Sequence, residues 1–368
     1  MLKQYKLKNY HFQLILSVLT LNIIGIMLIG SARHSVQKMQ IMGCILGFIA
    51  MIVISLMDYS FILKFCWVYY IGIIGLLGLV LVKGHNSHGS QRWIDFGSFR
   101  FQPSELAKIV LILFFAWFFA KYAEKINTIQ IIGISMILVG IPLLLIFKQP
   151  DTSTSIAIAL IFISLLFIAG LSYKIVMTVL GITIPVGLIG FSMILHMAQT
   201  SDDYRFGRIM AWLYPKDKRW AEIADQQQNS IMAIGSGQLW GKGLNNSVAT
   251  SMKNANYIVE PQTDFIFAVA GEELGFIGTT VIICLLLFIA IECILIARKA
   301  KDLSGKLICC GMAALVGFQS VFNLFVATGL MPNTGIPLPF VSYGLTSLLS
   351  MYMGMGFVLN VGLQPKKY

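Results

Sequence analysis

Four acidic residues lie close together where a long apolar segment begins: Glu260, Asp264, Glu272 and Glu273. The apolar run that begins among them is long enough to cross a membrane. A carboxylate in hydrocarbon costs about 2.5 to 3.5 kcal/mol on insertion scales, so acids in such places are usually paired, face a polar cavity or take part in a reaction. We therefore predict a functional site at the mouth of this segment.

A second group of polar residues precedes another apolar segment. Residues 83–103 interleave apolar and polar side chains, among them Arg92, which is typical of a segment at the membrane interface. Pro103 fits the first turn of a helix. Glu105 and Lys108 are three residues apart and share one helical face, so they can pair inside the bilayer. Such a pair is compatible with a structural role and with a functional one.

The long polar segment, residues 198–264, combines charges of both signs. Its basic residues are Arg205, Arg208, Lys216, Lys218, Arg219, Lys242 and Lys253. Taken singly, these side chains are predicted to be solvated; together with the neighbouring acids they predict a cationic, acid-containing basin. Glycines at 235, 237, 241 and 243 permit tight backbone turns. Long ordered loops tend to carry function.

The composition identifies the class of protein that must position these groups. Of 368 residues, 57% are hydrophobic and 12% charged, and the mean hydropathy is +0.80. This predicts an all-α polytopic membrane protein with about ten transmembrane helices, one of them broken near its outer end. The predicted spans lie near residues 12–30, 40–57, 61–82, 104–120, 129–147, 155–171, 174–197, 265–297, 306–330 and 342–363.

The distribution of basic residues predicts the orientation. With the N-terminus inside, the inner segments carry more Lys and Arg than the short outer loops, as the positive-inside rule requires. Both termini are then cytoplasmic, and residues 198–264 form one long extracytoplasmic loop. We predict that residues 1–368 make a single membrane domain.

Several other classes of function find no support in the sequence. The net charge of +11 is dispersed along loop ends, where topology and anionic lipid account for it, so we predict no nucleic-acid binding. The six cysteines lie in or at the ends of apolar segments, which favours buried hydrophobic residues over a disulfide framework. The five histidines are scattered, so no metal site is predicted.

Five groups of residues resemble, in chain order, the signature motifs of the SEDS family, which includes RodA, FtsW and SpoVE. They are Arg92-Trp93-Ile94, Gln102-Pro103-Ser104-Glu105 with Lys108, Gln149-Pro150-Asp151, Thr263-Asp264-Phe265-Ile266-Phe267-Ala268 with Glu272-Glu273-Leu274-Gly275, and Thr334-Gly335-Ile336-Pro337-Leu338-Pro339-Phe340 with Ser342-Tyr343-Gly344. The number and placement of the predicted spans agree with this resemblance.

The resemblance implies a ten-helix bundle in the bacterial plasma membrane. Its expected activity is a peptidoglycan glycosyltransferase that polymerises lipid II, the undecaprenyl-pyrophosphate-linked disaccharide pentapeptide, into glycan strands on the outer face. The expected partners are a class B penicillin-binding protein and other elongation or division machinery. No resident cofactor is implied. A divalent cation bridging Asp264 and pyrophosphate is compatible with this chemistry, but no ligand spacing indicates one.

The resemblance places the essential acid at Asp264. Glycosyl transfer from a lipid pyrophosphate needs a base for the acceptor hydroxyl, and a general base contributes about 10²- to 10⁴-fold. The reaction also needs cations that hold the departing pyrophosphate. The guanidinium groups of Arg92, Arg205 and Arg208 suit forked contacts with phosphate oxygens, and the ammonium group of Lys108 suits a point-charge contact. The other residues expected to bind substrate are Glu105, Gln226, Glu260 and Ser342.

Departures from the family pattern leave the biological role open. Ser153, Gln238 and Leu345 stand where the family usually has glycine, and Asp225 where it tends to have tyrosine. These changes predict altered cavity walls in a divergent paralogue that serves elongation, division or sporulation.

Two other functions remain open from the sequence. The intramembrane charges would suit a lipid II flippase. An inactive scaffold for a penicillin-binding protein would make Asp264 dispensable. The polar residues concentrate on the outer side and no internal repeat is evident, which favours a one-sided enzyme.

Overall fold

The computed structural model describes residues 10–87, 90–96, 99–178, 204–245, 252–253 and 257–364. In chain order the helices are α1 (Phe12–Ala32), α2 (His34–Leu56), α3 (Tyr59–Ile62), α4 (Cys66–Lys83), α5 (Pro103–Lys121), α6 (Ile129–Lys148), α7 (Thr152–Ile168), α8 (Tyr204–Leu213), α9 (Ala221–Ser236), α10 (Ile266–Arg298), α11 (Leu303–Ala327) and α12 (Leu345–Leu363). Short 3₁₀ turns lie at Leu63–Phe65, Ala123–Lys125 and Lys218–Trp220.

The prediction of an all-α polytopic membrane protein is confirmed. Within the described ranges, eight helical segments are long and apolar enough to cross a membrane, and α7 is a shorter apolar helix. The predicted span at 174–197 lies mostly outside the described residues, so the total of ten stays a prediction. Helix α2 begins at His34, earlier than predicted, because only Arg33 separates it from α1.

Helices α5 and α12 form the centre of the bundle. In their apolar stretches 78% of the residues are buried, against 22% in α6, whose outer face is left for lipid. Helix α12 packs along α2, α10 packs along α11, and α5 contacts α4, α7, α11 and α12. Glycines permit the closest approach: a Cβ on Gly25 of α1 would lie 2.7 Å from the backbone oxygen of Val341.

The segment predicted to lie at the interface forms a small antiparallel sheet. Its strands, in spatial order, are β1 (His85–Ser87), β2 (Ser90–Phe96) and β3 (Phe99–Phe101). Ile94 pairs with Phe101 and Asp95 with Arg100, consistent with the alternation of apolar and polar residues. Helix α5 then begins at Pro103, as predicted. The sheet therefore leads directly into the buried central helix.

Helix α10 is broken near its start. Gly275 has φ +67° and ψ −164°, outside the helical region, so residues 266–274 and 276–298 form two helical pieces. Glycine accepts this left-handed φ without a steric penalty. We call residues 266–274 the outer half-helix. Asp264 lies two residues before it begins.

Candidate active site

Asp264 is fixed in place through its backbone. The side-chain amide nitrogen of Asn323, on α11, donates 2.8 Å hydrogen bonds to the backbone oxygens of Asp264 and Ile336. One buried amide thus joins the segment before α10 to the segment before α12. Because both acceptors are main-chain carbonyls, the contact depends on backbone position rather than on the neighbouring side chains.

Ser342 strengthens the same junction. Its hydroxyl donates to the backbone oxygen of Thr263 at 2.7 Å and accepts from the backbone N–H of Leu338 at 2.8 Å. The backbone N–H of Tyr343 donates to the oxygen of Gln262 at 2.8 Å. Ser342 was predicted to bind substrate; its observed bonds hold the backbone beside Asp264, and the substrate contact stays a prediction.

The carboxyl group of Asp264 is half-buried and electrostatically perturbed. Burial raises the pKa of Asp264 above its usual range, while the guanidinium groups of Arg208 and Arg92 oppose that rise. The carboxylates of Glu260 and Asp151 add to it. The Asp264 carboxyl is therefore a stronger base than an exposed aspartate, and two arginines lie close enough to act on it.

Gly335 provides the wall against which the acid and one arginine lie. A Cβ on Gly335 would be 3.3 Å from Oδ2 of Asp264 and 3.9 Å from Nη1 of Arg208. Gly335 has φ +71°, a conformation that glycine adopts readily. A side chain here would occupy the space beside both charged groups, so the sequence motif at this position has a direct steric reason.

Arg92 is held by the turn that precedes α7. Its Nη1 lies 3.8 Å from Oδ1 of Asp151, and its Nε donates to the backbone oxygen of Gln149 at 3.4 Å. A further guanidinium nitrogen donates to the backbone oxygen of Pro150. The strand residue and the turn are far apart in the chain, so the fold brings two separate motifs together.

Asp151 is a buried site residue that sequence reasoning did not select. It caps α7 by accepting bonds from the backbone N–H (3.3 Å) and the hydroxyl (2.9 Å) of Thr154. It also accepts from the side chains of Gln102 (3.3 Å) and Ser104 (3.4 Å). The available signal was an acid within the Gln149-Pro150-Asp151 motif, immediately before an apolar helix.

The predicted ion pair in α5 is present. Nζ of Lys108 lies 2.8 Å from Oε1 of Glu105, and both side chains are buried. Glu105 and Arg92 line a cavity together with residues of several other segments. The full lining is Arg92, Gln102, Glu105, Asp151, Thr154, Ala157, Gln319, Gly335, Ile336 and Pro337. Arg92, a predicted phosphate-binding residue, and Gly335 both line this cavity, so the cavity extends from one to the other.

Besides Arg208, three predicted substrate-binding residues lie in the long loop. Arg205 falls in α8, but its side chain is outside the described part. Gln226 is half-buried on α9, whereas its neighbour Gln227 is buried and donates to the backbone oxygens of Val326 (2.8 Å) and Met331 (2.7 Å). Glu260 is exposed, with Oε1 3.9 Å from Nη1 of Arg33, and it acts on Asp264 through charge.

The four residues that depart from the family pattern lie in different environments. The Ser153 hydroxyl donates to the backbone oxygen of Thr334, next to the cavity wall. The Leu345 side chain fills the space beside Gly43. Gln238 adopts φ +51°, which is unusual for a residue with a side chain. Asp225 is exposed on α9.

No group of three or more His, Cys, Asp or Glu side chains within the described ranges could hold a metal ion. A divalent cation between Asp264 and a pyrophosphate stays a hypothesis.

The geometry can be compared with known proteins. A family model described as "Cell cycle protein", for FtsW, RodA and SpoVE, matches residues 7–367. The chain belongs to this family. The protein named "Probable peptidoglycan glycosyltransferase FtsW" from Geobacter sulfurreducens is 32% identical over 378 residues, which cover 98% of this chain and 97% of that protein. The protein of the same name from Escherichia coli O157:H7 is 30% identical over 330 residues, which cover 88% of this chain and 76% of that protein.

Two solved structures share the fold of this chain. A chain from a peptidoglycan synthase complex, described for its coordination of polymerization and crosslinking, superposes with a TM-score of 0.78 at 26% identity, covering 96% of this chain and 97% of that one. The rod shape determining protein RodA of Thermus thermophilus gives a TM-score of 0.70 at 25% identity, with 96% of each chain covered. The resemblance to the SEDS family is thereby confirmed.

The arrangement defines what this SEDS site can do chemically. It offers one carboxyl group with a raised pKa, two guanidinium groups that act on it, and a polar cavity beside them. A carboxylate in that setting can take a proton, and guanidinium groups suit phosphate oxygens. Proton abstraction next to a phosphate-bearing leaving group is the reaction class that fits.

Proposed function

We propose that this chain is a peptidoglycan glycosyltransferase that polymerises lipid II into glycan strands on the outer face of the bacterial plasma membrane. The observation that carries this proposal is that Asp264 and Arg208 lie against Gly335, which lines a polar cavity together with Arg92. The family and the names of the relatives support the same activity.

In the proposed reaction, Asp264 is the general base. Its carboxylate accepts the proton of the acceptor sugar hydroxyl, whose oxygen forms the new glycosidic bond. The bond between the donor sugar and its pyrophosphate breaks at the same carbon, and the undecaprenyl pyrophosphate departs with the bonding electrons. The raised pKa of Asp264 favours proton transfer, because a base becomes more effective as its pKa approaches the working pH.

The departing pyrophosphate needs positive charge. Arg92 lines the cavity and Arg208 lies against Gly335 beside Asp264, which supports the proposal that both contact phosphate oxygens. The guanidinium fork matches a phosphate better than an ammonium group does. Lys108, which pairs with the cavity-lining Glu105 in α5, is the proposed further charge. Arg205, Gln226, Glu260 and Ser342 complete the proposed substrate contacts.

The proposal extends to orientation and partners. Both termini are cytoplasmic and residues 198–264 are extracytoplasmic, which is supported by the excess of Lys and Arg in the inner segments. A class B penicillin-binding protein, with other elongation or division machinery, is the proposed partner. The similarity to a chain of a peptidoglycan synthase complex supports such an assembly. A C-terminal reporter that is active only in the cytoplasm tests the orientation.

Polymerisation by the purified protein tests the activity. Wild-type protein and Asp264→Asn protein would each be incubated with lipid II, alone and with the cognate penicillin-binding protein. We expect glycan strands from the wild type and none from the variant, and stimulation that survives removal of the partner's transpeptidase serine. Translocation of lipid II without strands would instead identify a flippase. Strands that form only from the partner, regardless of Asp264, would identify a scaffold.

A further inference from the structure

The break at Gly275 interrupts the backbone hydrogen bonding of α10, a helix long and apolar enough to cross a membrane. Where a helix stops, its last carbonyls have no amide partner, and where the next piece starts, its first amides have no carbonyl partner. Hydrocarbon supplies no hydrogen bonds, so irregular backbone in a span must be satisfied by other parts of the protein. The partners at this break come from residues 238–243, which we call the clamp segment.

The clamp segment satisfies the carbonyls of the outer half-helix. The backbone N–H of Lys242 donates to the oxygen of Glu272 at 2.9 Å, and that of Gly243 donates to the oxygen of Glu273 at 3.0 Å. These acceptors lie in the last turn before Gly275. The outer half-helix therefore ends on the clamp segment and not on solvent.

The clamp segment also satisfies the amides of the inner piece. The backbone N–H of Phe276 donates to the oxygen of Gln238 at 2.8 Å, and that of Ile277 donates to the oxygen of Leu239 at 3.2 Å. One short segment thus bonds to both sides of the break. It joins the two pieces of α10 through main-chain contacts, which fix their relative position.

Glycines allow this close seating. A Cβ on Gly237 would lie 1.9 Å from the backbone oxygen of Gly271, and one on Gly241 would lie 2.2 Å from that of Glu273. Either contact is shorter than any van der Waals separation. Gly235 differs, because nothing lies within 4 Å of the position of its Cβ.

A buried ion pair reinforces the contact at Glu272. Nζ of Lys242 lies 2.8 Å from Oε1 of Glu272, whose side chain is fully buried. The same carboxylate accepts from the backbone N–H groups of Met252 (2.9 Å) and Lys253 (3.3 Å). A buried charge is stable only when it is paired and hydrogen-bonded, and the Glu272 carboxylate has three such donors.

A second ion pair links Glu273 to α1. Nζ of Lys253 lies 2.6 Å from Oε1 of Glu273 and 2.7 Å from the hydroxyl oxygen of Ser31. The Ser31 hydroxyl also donates to Glu273. Consecutive acids of the outer half-helix are therefore tied to different lysines of the long loop, and one of the two ties reaches a neighbouring span.

We infer that the clamp segment and the pairs Lys242–Glu272 and Lys253–Glu273 are positioning elements that hold the outer half-helix, and with it Asp264, in the geometry needed for glycosyl transfer. The inference rests on the proposed role of Asp264 as the base. Asn323 and Ser342 hold the backbone at the Asp264 end of this unit, and the clamp holds its other end. Without the clamp, the outer half-helix is free to tilt about Gly275.

The matched variants Gly237→Ala and Gly235→Ala test the inference in the full-length protein in lipid nanodiscs. Both glycines lie at the end of α9, and neither has a positive φ. A Cβ on Gly235 would meet open space, whereas a Cβ on Gly237 would meet the backbone of Gly271. We expect faster hydrogen exchange at the amides of residues 266–274 for Gly237→Ala and unchanged exchange for Gly235→Ala. We also expect kcat to fall about 10- to 100-fold for Gly237→Ala with KM within about twofold, as small displacements of reacting groups produce.

A second pair of variants keeps the test valid if Gly237→Ala fails to fold. Lys242→Met removes one ion pair but leaves Glu272 its two backbone donors, and Lys218→Met removes an exposed lysine of the same loop. We expect Lys242→Met to reproduce both effects and Lys218→Met to reproduce neither. Wild-type exchange at residues 266–274 in Gly237→Ala or Lys242→Met, or full kcat despite faster exchange, would overturn the inference. If the wild type makes no strands, the proposed function fails, while the exchange rates still decide whether the clamp holds the half-helix.

Discussion

The side-chain amide of Asn323 bonds to the backbone oxygen of Asp264 at 2.8 Å and places the predicted base by its main chain. The same nitrogen bonds to the oxygen of Ile336, so Asn323 connects the two segments that enclose the carboxyl group. The backbone position of the predicted base is therefore set by a residue of another helix, through a contact that does not involve the Asp264 side chain.

Replacement of this amide should reduce both stability and turnover. Asn323→Leu leaves two buried carbonyls without a donor, and we expect a loss of about 1 to 3 kcal/mol in the free energy of unfolding. The control is Asn127→Leu, because the side chain of Asn127 also bonds to two backbone groups, the oxygen of Gly170 and the N–H of Ser172, but is exposed and away from the site. Thermal unfolding and kcat would be measured for both. A normal kcat in Asn323→Leu would contradict its role in placing Asp264.

Loss of the Asp264 carboxylate should abolish polymerisation without unfolding the protein. Asp264→Asn is nearly isosteric, but its amide cannot accept the acceptor proton, so we expect a loss of at least about 10²- to 10⁴-fold. Glu260→Gln should be less sensitive than Asp264→Asn, because Glu260 is exposed and its effect on Asp264 is one of charge. Strand formation would be compared at equal amounts of folded protein. Wild-type polymer from Asp264→Asn would end the general-base proposal.

The pH dependence should report the raised pKa of Asp264. The ionised form is the base, so kcat/KM should fall as the pH drops through a folded pKa that is higher than that of an exposed aspartate. Because the folded pKa exceeds the unfolded one, the stability contribution of the protonated group is complete below the unfolded pKa and is lost as the pH rises through the folded pKa. Arg208→Ala removes a cation that lowers the pKa, so the acid limb should move to higher pH. An unchanged acid limb would show that another group controls the profile.

Turnover should depend on the planar guanidinium group of Arg92 and not only on its positive charge. Arg92→Lys keeps the positive charge but loses the planar geometry that spans Asp151 and the carbonyls before it, so turnover should already be impaired. Arg92→Ala should lower it further. The control is Arg100→Lys in the same sheet, since Arg100 is exposed and pairs with Asp95. Full activity in both Arg92 variants would assign this residue to anchoring at the interface.

Gln238 should be a site of stored backbone strain. Its φ of +51° is unfavourable for a residue with a Cβ, its side chain is exposed, and its backbone oxygen accepts the bond from Phe276 of α10. We expect Gln238→Gly to keep the clamp and to stabilise the protein by about 0.5 to 1 kcal/mol, or to be neutral where unfolded-chain entropy offsets the gain. Thermal unfolding would measure this. A clear loss of stability would mean that the Gln238 side chain contributes contacts of its own.

The sequence by itself determined the class of fold and led to Asp264 as the predicted reactive acid. Apolar runs of membrane length predicted the spans, and the helical start at Pro103 and the pair Glu105–Lys108 followed from rules that act within a few residues. Asp264 was selected from a motif at the mouth of an apolar run. These features are local in the chain, so periodicity, spacing and motif carry them.

Only the tertiary structure decided which distant residues surround that acid. Asp151 meets Arg92, and Gly335 provides a wall for Asp264, because several helices converge on one cavity. Lys242 reaches Glu272 from a loop, and the break at Gly275 gains its hydrogen bonds there. Such contacts depend on how whole helices pack and on which buried groups still lack partners. Neither property is encoded in the local pattern of residues.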